Sequence, residues 1–318
     1  MTSVPNIPAA QTAALTRRVT LYSVATAAVL VTIKVLAWAA SGSVALLASA
    51  ADSGLDLLAS LTTFFAVRYA VAPPDAEHRF GHGKAEGFAS LFQAGLVFAS
   101  AALIGREAID NLMAPKPIQD SGWALAVMAV SIVLTAFLIT AQGRVLRQTA
   151  SVAVSGDRAH YAADLASNFI ALAGIAAAAW LGTGSFDAVA ALAIAALLLW
   201  GAVGVFREAS GQLMDHELPD DVRARIVALM TQDRRLTDVH QLRTRASGPY
   251  VHMQMHVDLD PELSLEAAHQ VIVAAEKRLL AEFPSADIII HADPRGRAEP
   301  HGGAFAETKA AKSNAAET

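Results

Sequence analysis

VALLASAADSGLDLLASLTTFFAV, residues 44–67, is longer than the roughly 20 apolar residues a helix needs to cross a bilayer, yet it holds Asp52 and Asp56. A second apolar segment, HYAADLASNFIALAGIAAAAW (160–180), repeats the spacing with His160 and Asp164. In a helix, residues four apart share one face, so each pair points one way. A carboxylate near the bilayer centre costs about 2.5 to 3.5 kcal/mol on insertion scales, so three of them with a histidine need a compensating partner. A lone intramembrane aspartate also serves as a helix-packing hydrogen bonder or as counter-ion to a cation. Two matched pairs favour a divalent cation instead. Three carboxylates and one imidazole make four ligands, a set that suits tetrahedral zinc and also accepts iron, cobalt or cadmium.

The rest of the composition agrees with a membrane protein. The chain has 318 residues, 54% of them hydrophobic and 17% charged, with a mean hydropathy of +0.41. Apolar spans are expected near 17–41, 44–71, 86–112, 122–145, 158–181 and 186–208. Six crossings return both termini to one side. Lys and Arg accumulate in cytoplasmic connections. With the N-terminus inside, Arg17, Arg18, Arg68, Arg79, Lys84, Arg144, Arg147, Arg158 and Arg207 fall on or near the cytoplasmic face, and Arg106 and Lys116 lie toward the other. Both termini are therefore expected in the cytoplasm. The start, MTSVPNIPAAQTAAL, has no charged leader region, and the apolar segment after it is too long for a signal-peptide core, so the first span is read as retained.

The chain has no cysteine, which excludes disulfides and thiolate ligands and leaves His, Asp and Glu to build any metal site. The net charge of −5 says little, and no basic patch interleaved with aromatics points to nucleic acid. Lys34 lies inside the first span, where it snorkels, pairs with a carboxylate or faces a cavity. The fifth and sixth spans are rich in Ala and Gly, the composition of closely packed membrane helices.

After residue 211 the pattern changes. LPDDVRARIVALMTQDRRL (218–236) and LSLEAAHQVIVAAEKRLLAEF (263–283) have helical periodicity, while VHQLRTRAS (239–247), YVHMQMHVDLD (250–260) and ADIIIHADP (286–294) alternate as strands. This predicts a small α+β domain of order α-β-β-α-β, with helices on one face of a sheet. The expected division is a cytosolic N-terminal segment (1–16), a six-helix transmembrane domain (17–211), a cytosolic metal-binding and dimerisation domain (212–296) and a disordered tail (297–318). In the second strand Met253, Met255 and Val257 are expected to face the helices, with His252, Gln254 and His256 opposite. His240, His256, His269, His291 and Asp293 are then candidate ligands on the polar surface, with His252 and His301 as open additions. A single surface histidine is ordinarily solvated surface; five candidates in one small domain ask for more.

A third cluster lies in PPDAEHRFGHGKAE (73–86), where Asp75, His78 and His82 are spaced three and four apart and glycines let the loop wrap closely. The plain alternative is a basic loop whose histidines bind nothing.

Taken together, DSGLD in the second span, HYAAD in the fifth, the loop HRFGHGKAE and a C-terminal domain with HQLRTRASG and IIIHADP resemble the cation diffusion facilitators, within them the bacterial zinc and iron efflux branch. The resemblance covers roughly residues 15–294. It implies a mid-membrane transport site at Asp52, Asp56, His160 and Asp164, a loop site at Asp75, His78 and His82, and a two-metal cluster at His240, His256, His269, His291 and Asp293 in a metallochaperone-like domain. It further implies a homodimer with an interlock between Lys84 and Asp215. Close relatives carry a polar residue where this chain has Ala292, between His291 and Asp293.

The expected function is proton-coupled export of a divalent cation by alternating access in the bacterial inner (plasma) membrane, with zinc first and iron, cadmium or cobalt as alternatives. Binding needs neutral imidazole and ionised carboxylates, so loading displaces protons. His160, whose ordinary pKa of about 6.5 lies in the working range, is the expected coupling residue. A non-transporting membrane metal sensor is the runner-up. An intramembrane zinc hydrolase needs an open coordination position and a general base, and no HExxH is present.

Overall fold

The computed structural model describes residues 7–42, 44–113, 122–181 and 185–297. Lys116, His301 and the expected disordered tail beyond 297 lie outside them. The chain divides into two compact units, one running to Asp215 and including Ser247–Pro249, the other made of His216–Ala246 and the chain from Tyr250 onward.

The first unit consists of long helices: α1 (Ala9–Ser41), α2 (Val44–Ala70), α3 (Ala85–Met113), α4 (Gly122–Thr149), α5 (Val152–Leu181) and α6 (Ser185–Leu213). Helix α1 starts well before the expected 17, because polar residues there are satisfied within the helix. The Thr16 and Thr20 hydroxyls donate to the carbonyls of Thr12 and Thr16, each at 2.8 Å. Gly42, at φ +66°, closes α1 by donating its N–H to Trp38 O at 2.7 Å, a left-handed position suited to glycine. Among the described residues, α1, α2, α3, α4 and α6 contain stretches long and apolar enough to cross a membrane; α5 is not among them.

Helix α5 packs on α2, α3, α4 and α6. Small residues make that possible. Ala163 meets Ala101, Ala202, Val97 and Leu198, and Ala153 meets Ala89 and Val67. The closest approach is at Gly156, where a Cβ would stand 2.9 Å from Ser90 Oγ and 3.1 Å from Ser90 Cα.

The second unit orders its elements as α7 (Asp220–Met230), β1 (Val239–Ser247), β2 (Tyr250–Leu259), α8 (Leu265–Glu282) and β3 (Ala286–Pro294). The sheet order is β1-β2-β3. Strand β3 runs parallel to β2, in register His256 with His291 and Asp258 with Asp293, and α8 is the crossover that parallel pairing requires. Alternate β2 residues Val251, Met253, Met255, Val257 and Leu259 are buried, as are Val271, Ala275 and Leu279 of α8 and Ile226, Leu229 and Met230 of α7. Ser264 caps α8, accepting from Ala267 N at 3.2 Å.

Candidate metal centres

The deepest cluster lies between α2 and α5. Asp56 is buried on α2, and one turn apart on α5 stand His160, also buried, and Asp164. One ligand atom from each lies within 4.8 Å of the others. His160 Nε2 is 3.0 Å from Asp56 Oδ1 and 3.7 Å from Asp164 Oδ2. Two carboxylates and one imidazole nitrogen converging in this way make a donor set that could hold a divalent cation. His160 Nδ1 is buried without a hydrogen bond.

Asp52, the fourth residue of the expected tetrad, stands outside this group. Four residues of helix carry a side chain about 6 Å along the axis, and Asp52 is exposed while Asp56 is buried. Near it, Lys34 of α1 donates to Ser53 Oγ at 2.6 Å and to Ser49 O at 3.3 Å.

A polar node that sequence reasoning missed lies beside the cluster. Asp157, fully buried on α5, accepts from Gln93 Nε2 of α3 at 3.0 Å and Gln142 Nε2 of α4 at 2.8 Å. Gln93 also donates to Thr63 Oγ1 of α2 at 2.9 Å, and Gln142 to Ser23 Oγ of α1 at 3.2 Å. Tyr161 donates to Ser23 O at 3.2 Å and shares a 2.7 Å bond with Ser60 Oγ of α2. The signal was present in GDRAH: Asp157 lies three residues before His160, on the same side of the helix.

In the loop between α2 and α3, Asp75, His78 and His82 do converge, again with ligand atoms within 4.8 Å. Asp75 Oδ1 is 3.3 Å from His78 Nδ1 and its Oδ2 is 3.2 Å from His82 Nε2. The backbone N–H groups of His78 at 2.6 Å and Glu77 at 2.9 Å also donate to Asp75. The His78 N–H is the main reason its carboxyl is held below the usual carboxylate range. Gly81, at φ +76°, supplies the left-handed turn that returns the chain toward His82.

In the second unit, His240 (β1), His256 (β2) and Asp293 (β3) form the third group. Asp293 Oδ2 is 2.9 Å from His256 Nδ1 and 3.2 Å from His240 Nε2, and its Oδ1 is 3.3 Å from His291 Nε2. Burial acts to raise the Asp293 pKa, but the hydrogen bond from His256 and the charges of His256, His291 and His240 outweigh it and hold the group below the ordinary value. His269, on α8, is exposed and stands outside this group. His252 is buried, not on a free polar face, and sits 3.0 Å from Asp287 through Nδ1, its register partner on β3.

Lys84 Nζ lies 3.0 Å from Asp215 Oδ1 and donates to Leu213 O at 3.2 Å, at the end of α6.

The sequence matches two family models: the cation efflux transmembrane domain over residues 20–214 and the cytoplasmic domain of cation efflux proteins over 218–295. It is 40% identical to the cation-efflux pump FieF of Yersinia enterocolitica over 284 residues, covering 89% of this chain and 94% of that protein. With FieF of Escherichia fergusonii the identity is 39% over 280 residues, 88% and 93% of the two chains. Among solved structures it is similar to the zinc form of a putative zinc transporter, CzrB, at 30% identity, covering 27% of this chain and 98% of that one with a TM-score of 0.25.

Proposed function

The chain belongs to the cation diffusion facilitator family, and from that premise we propose that it is a multi-pass membrane pump that exports a divalent metal cation, zinc first, in exchange for protons. Iron, cadmium and cobalt suit the same ligand set. The observation that carries the reading is the pair of carboxylates, Asp56 and Asp164, converging on His160 Nε2 at 3.0 and 3.7 Å in the helical unit. With Asp52 as fourth ligand, they form the proposed transport site.

In this reading α5 is the sixth crossing, both termini are cytoplasmic, and the membrane is the bacterial inner membrane. The bias of Lys and Arg toward one set of connections supports that orientation. Loading from the cytoplasm places the cation where His160 is neutral and the aspartates are ionised, expelling their protons. Protonation on the outer side then competes with the cation and favours release. Asp75, His78 and His82 form a loading site on the cytoplasmic loop. The histidines around Asp293, joined by His269, form a metal site that stabilises a homodimer, with Lys84 and Asp215 as interlock. Mass action is the physical basis: metal that binds only the dimer raises dimer stability.

The test is zinc flux into proteoliposomes holding a pH-sensitive dye, the native chain against Asp56→Ala. Zinc uptake with lumenal proton loss, both abolished in the variant, is the expected result. A native protein without flux that still binds zinc tightly would instead be a membrane sensor.

A further inference from the structure

Lys34 is an ammonium within the apolar helix α1, and among the described residues it has no ion pair within 4.0 Å. It is partly buried, and its Nζ reaches across to α2, 2.6 Å from Ser53 Oγ and 3.3 Å from Ser49 O. Ser53 is the immediate neighbour of Asp52. The Lys34 charge acts electrostatically on both Asp52 and Asp164. Its anchors lie between the cluster and the α1–α2 turn: Ser53 and Ser49 precede Asp56 by three and seven residues, about 5 and 10 Å of helix.

Asp56 and Asp164 meet at His160 and Asp52 stands one turn away on α2, so an occupying divalent cation balances only part of the charge of the three. When the cation has left, an uncompensated carboxylate among buried groups such as Asp56 and His160 is costly. A lysine bonded to uncharged oxygens one residue from Asp52 lowers that cost without collapsing onto the carboxylate. Resting on the transport reading above, we propose that Lys34 is a tethered counter-ion of the transport site, which stabilises the empty cluster, competes with the incoming cation at Asp52 and so weakens cation affinity while speeding release. Lys34 is a positioning charge and not a ligand; Ser49 and Ser53 hold it within reach of Asp52 but off it.

The experiment compares zinc flux of the full-length native protein, Lys34→Arg and Lys34→Gln in proteoliposomes, resolving KM from kcat. Glutamine keeps a polar N–H donor at this position but carries no charge; arginine keeps the charge. A unit charge several ångströms from the site in a partly solvated medium changes affinity by about tenfold. The expected result is a KM about tenfold lower in Lys34→Gln with a reduced kcat, and both near native in Lys34→Arg. An unchanged or raised KM in Lys34→Gln overturns the proposal, as does a Lys34→Arg variant with the same lowered KM, since the charge would then not be the cause. Should Lys34→Gln fail to fold, Ser53→Ala asks the question from the other side. It frees the ammonium toward Asp52 and is expected to raise KM; no rise overturns the proposal. Flux in the native protein is the control that separates failure of this inference from failure of the transport reading.

Discussion

Asp157 and Asp293 show how one carboxylate organises each unit. Asp157 accepts from two glutamine amides. Asp157→Asn turns an amide N–H toward those donors, leaving buried groups unpaired at about 1–3 kcal/mol each. The expected outcome is a lowered thermal midpoint together with lost zinc flux, read by melting and transport on one preparation. Asp293 has a depressed pKa. Its contribution to stability is therefore complete above the unfolded value of about 3.9 and is lost as pH falls through the folded one. In metal-free protein, Asp293→Asn should melt below native at pH 7, and the gap should close as pH drops below about 4. A gap that widens in acid contradicts the assignment. The candidate ligand motifs at this scale were legible because Asp and His are conspicuous in apolar or alternating sequence. Gln93, Gln142 and Tyr161 were not, since nothing local tells a buried amide from a surface one. Asp52 and His269 matched in sequence, but the sequence could not show that they would stand apart from their clusters.

Helix packing is the next scale up. Gly156 lets α5 approach α3 so closely that an added methyl would meet the Ser90 backbone at 3.1 Å. Gly156→Ala is expected to cost about 1–3 kcal/mol through overpacking, and to impair flux because Asp157 and His160 follow on the same helix. Gly201, with nothing within 4 Å of its would-be Cβ, is the control: alanine there gains up to about 1 kcal/mol of helix propensity. Thermal melts of both variants check the pair. The elements were legible from period and length, including both amphipathic helices and all three strands. The start of α1 was not. Its threonines look polar in a hydropathy window but bond their own backbone, so the helix passes through residues that composition marks as non-membrane.

For the molecule as a whole, two predictions bear on assembly. Lys84→Ala removes a half-exposed ion pair, which is worth about 0 to 1 kcal/mol; in detergent, the monomer–dimer equilibrium is expected to move by no more than about fivefold. Chelation is expected to weaken the dimer more, and adding His240→Ala should remove the zinc-dependent part of that change; analytical ultracentrifugation reads both. The division into an apolar helical part and an α+β part could be read from the abrupt loss of hydropathy after residue 211. The polar node joining α1, α2, α3, α4 and α5 could not, because it depends on residues from distant parts of the chain meeting at one depth.

The Tyr161 hydroxyl ties α5 to Ser60 of α2 at 2.7 Å, on the same two helices that carry His160 and Asp56. Tyr161 adjoins His160, and Ser60 follows Asp56 by one turn. On the proposed transport reading, a brace so near the candidate ligands fixes the gap they must span, so the pocket has little freedom to widen for a larger ion. Ionic radius then becomes a criterion of selection alongside ligand chemistry, and phenylalanine at Tyr161 would relax it, letting cadmium compete with zinc on more equal terms.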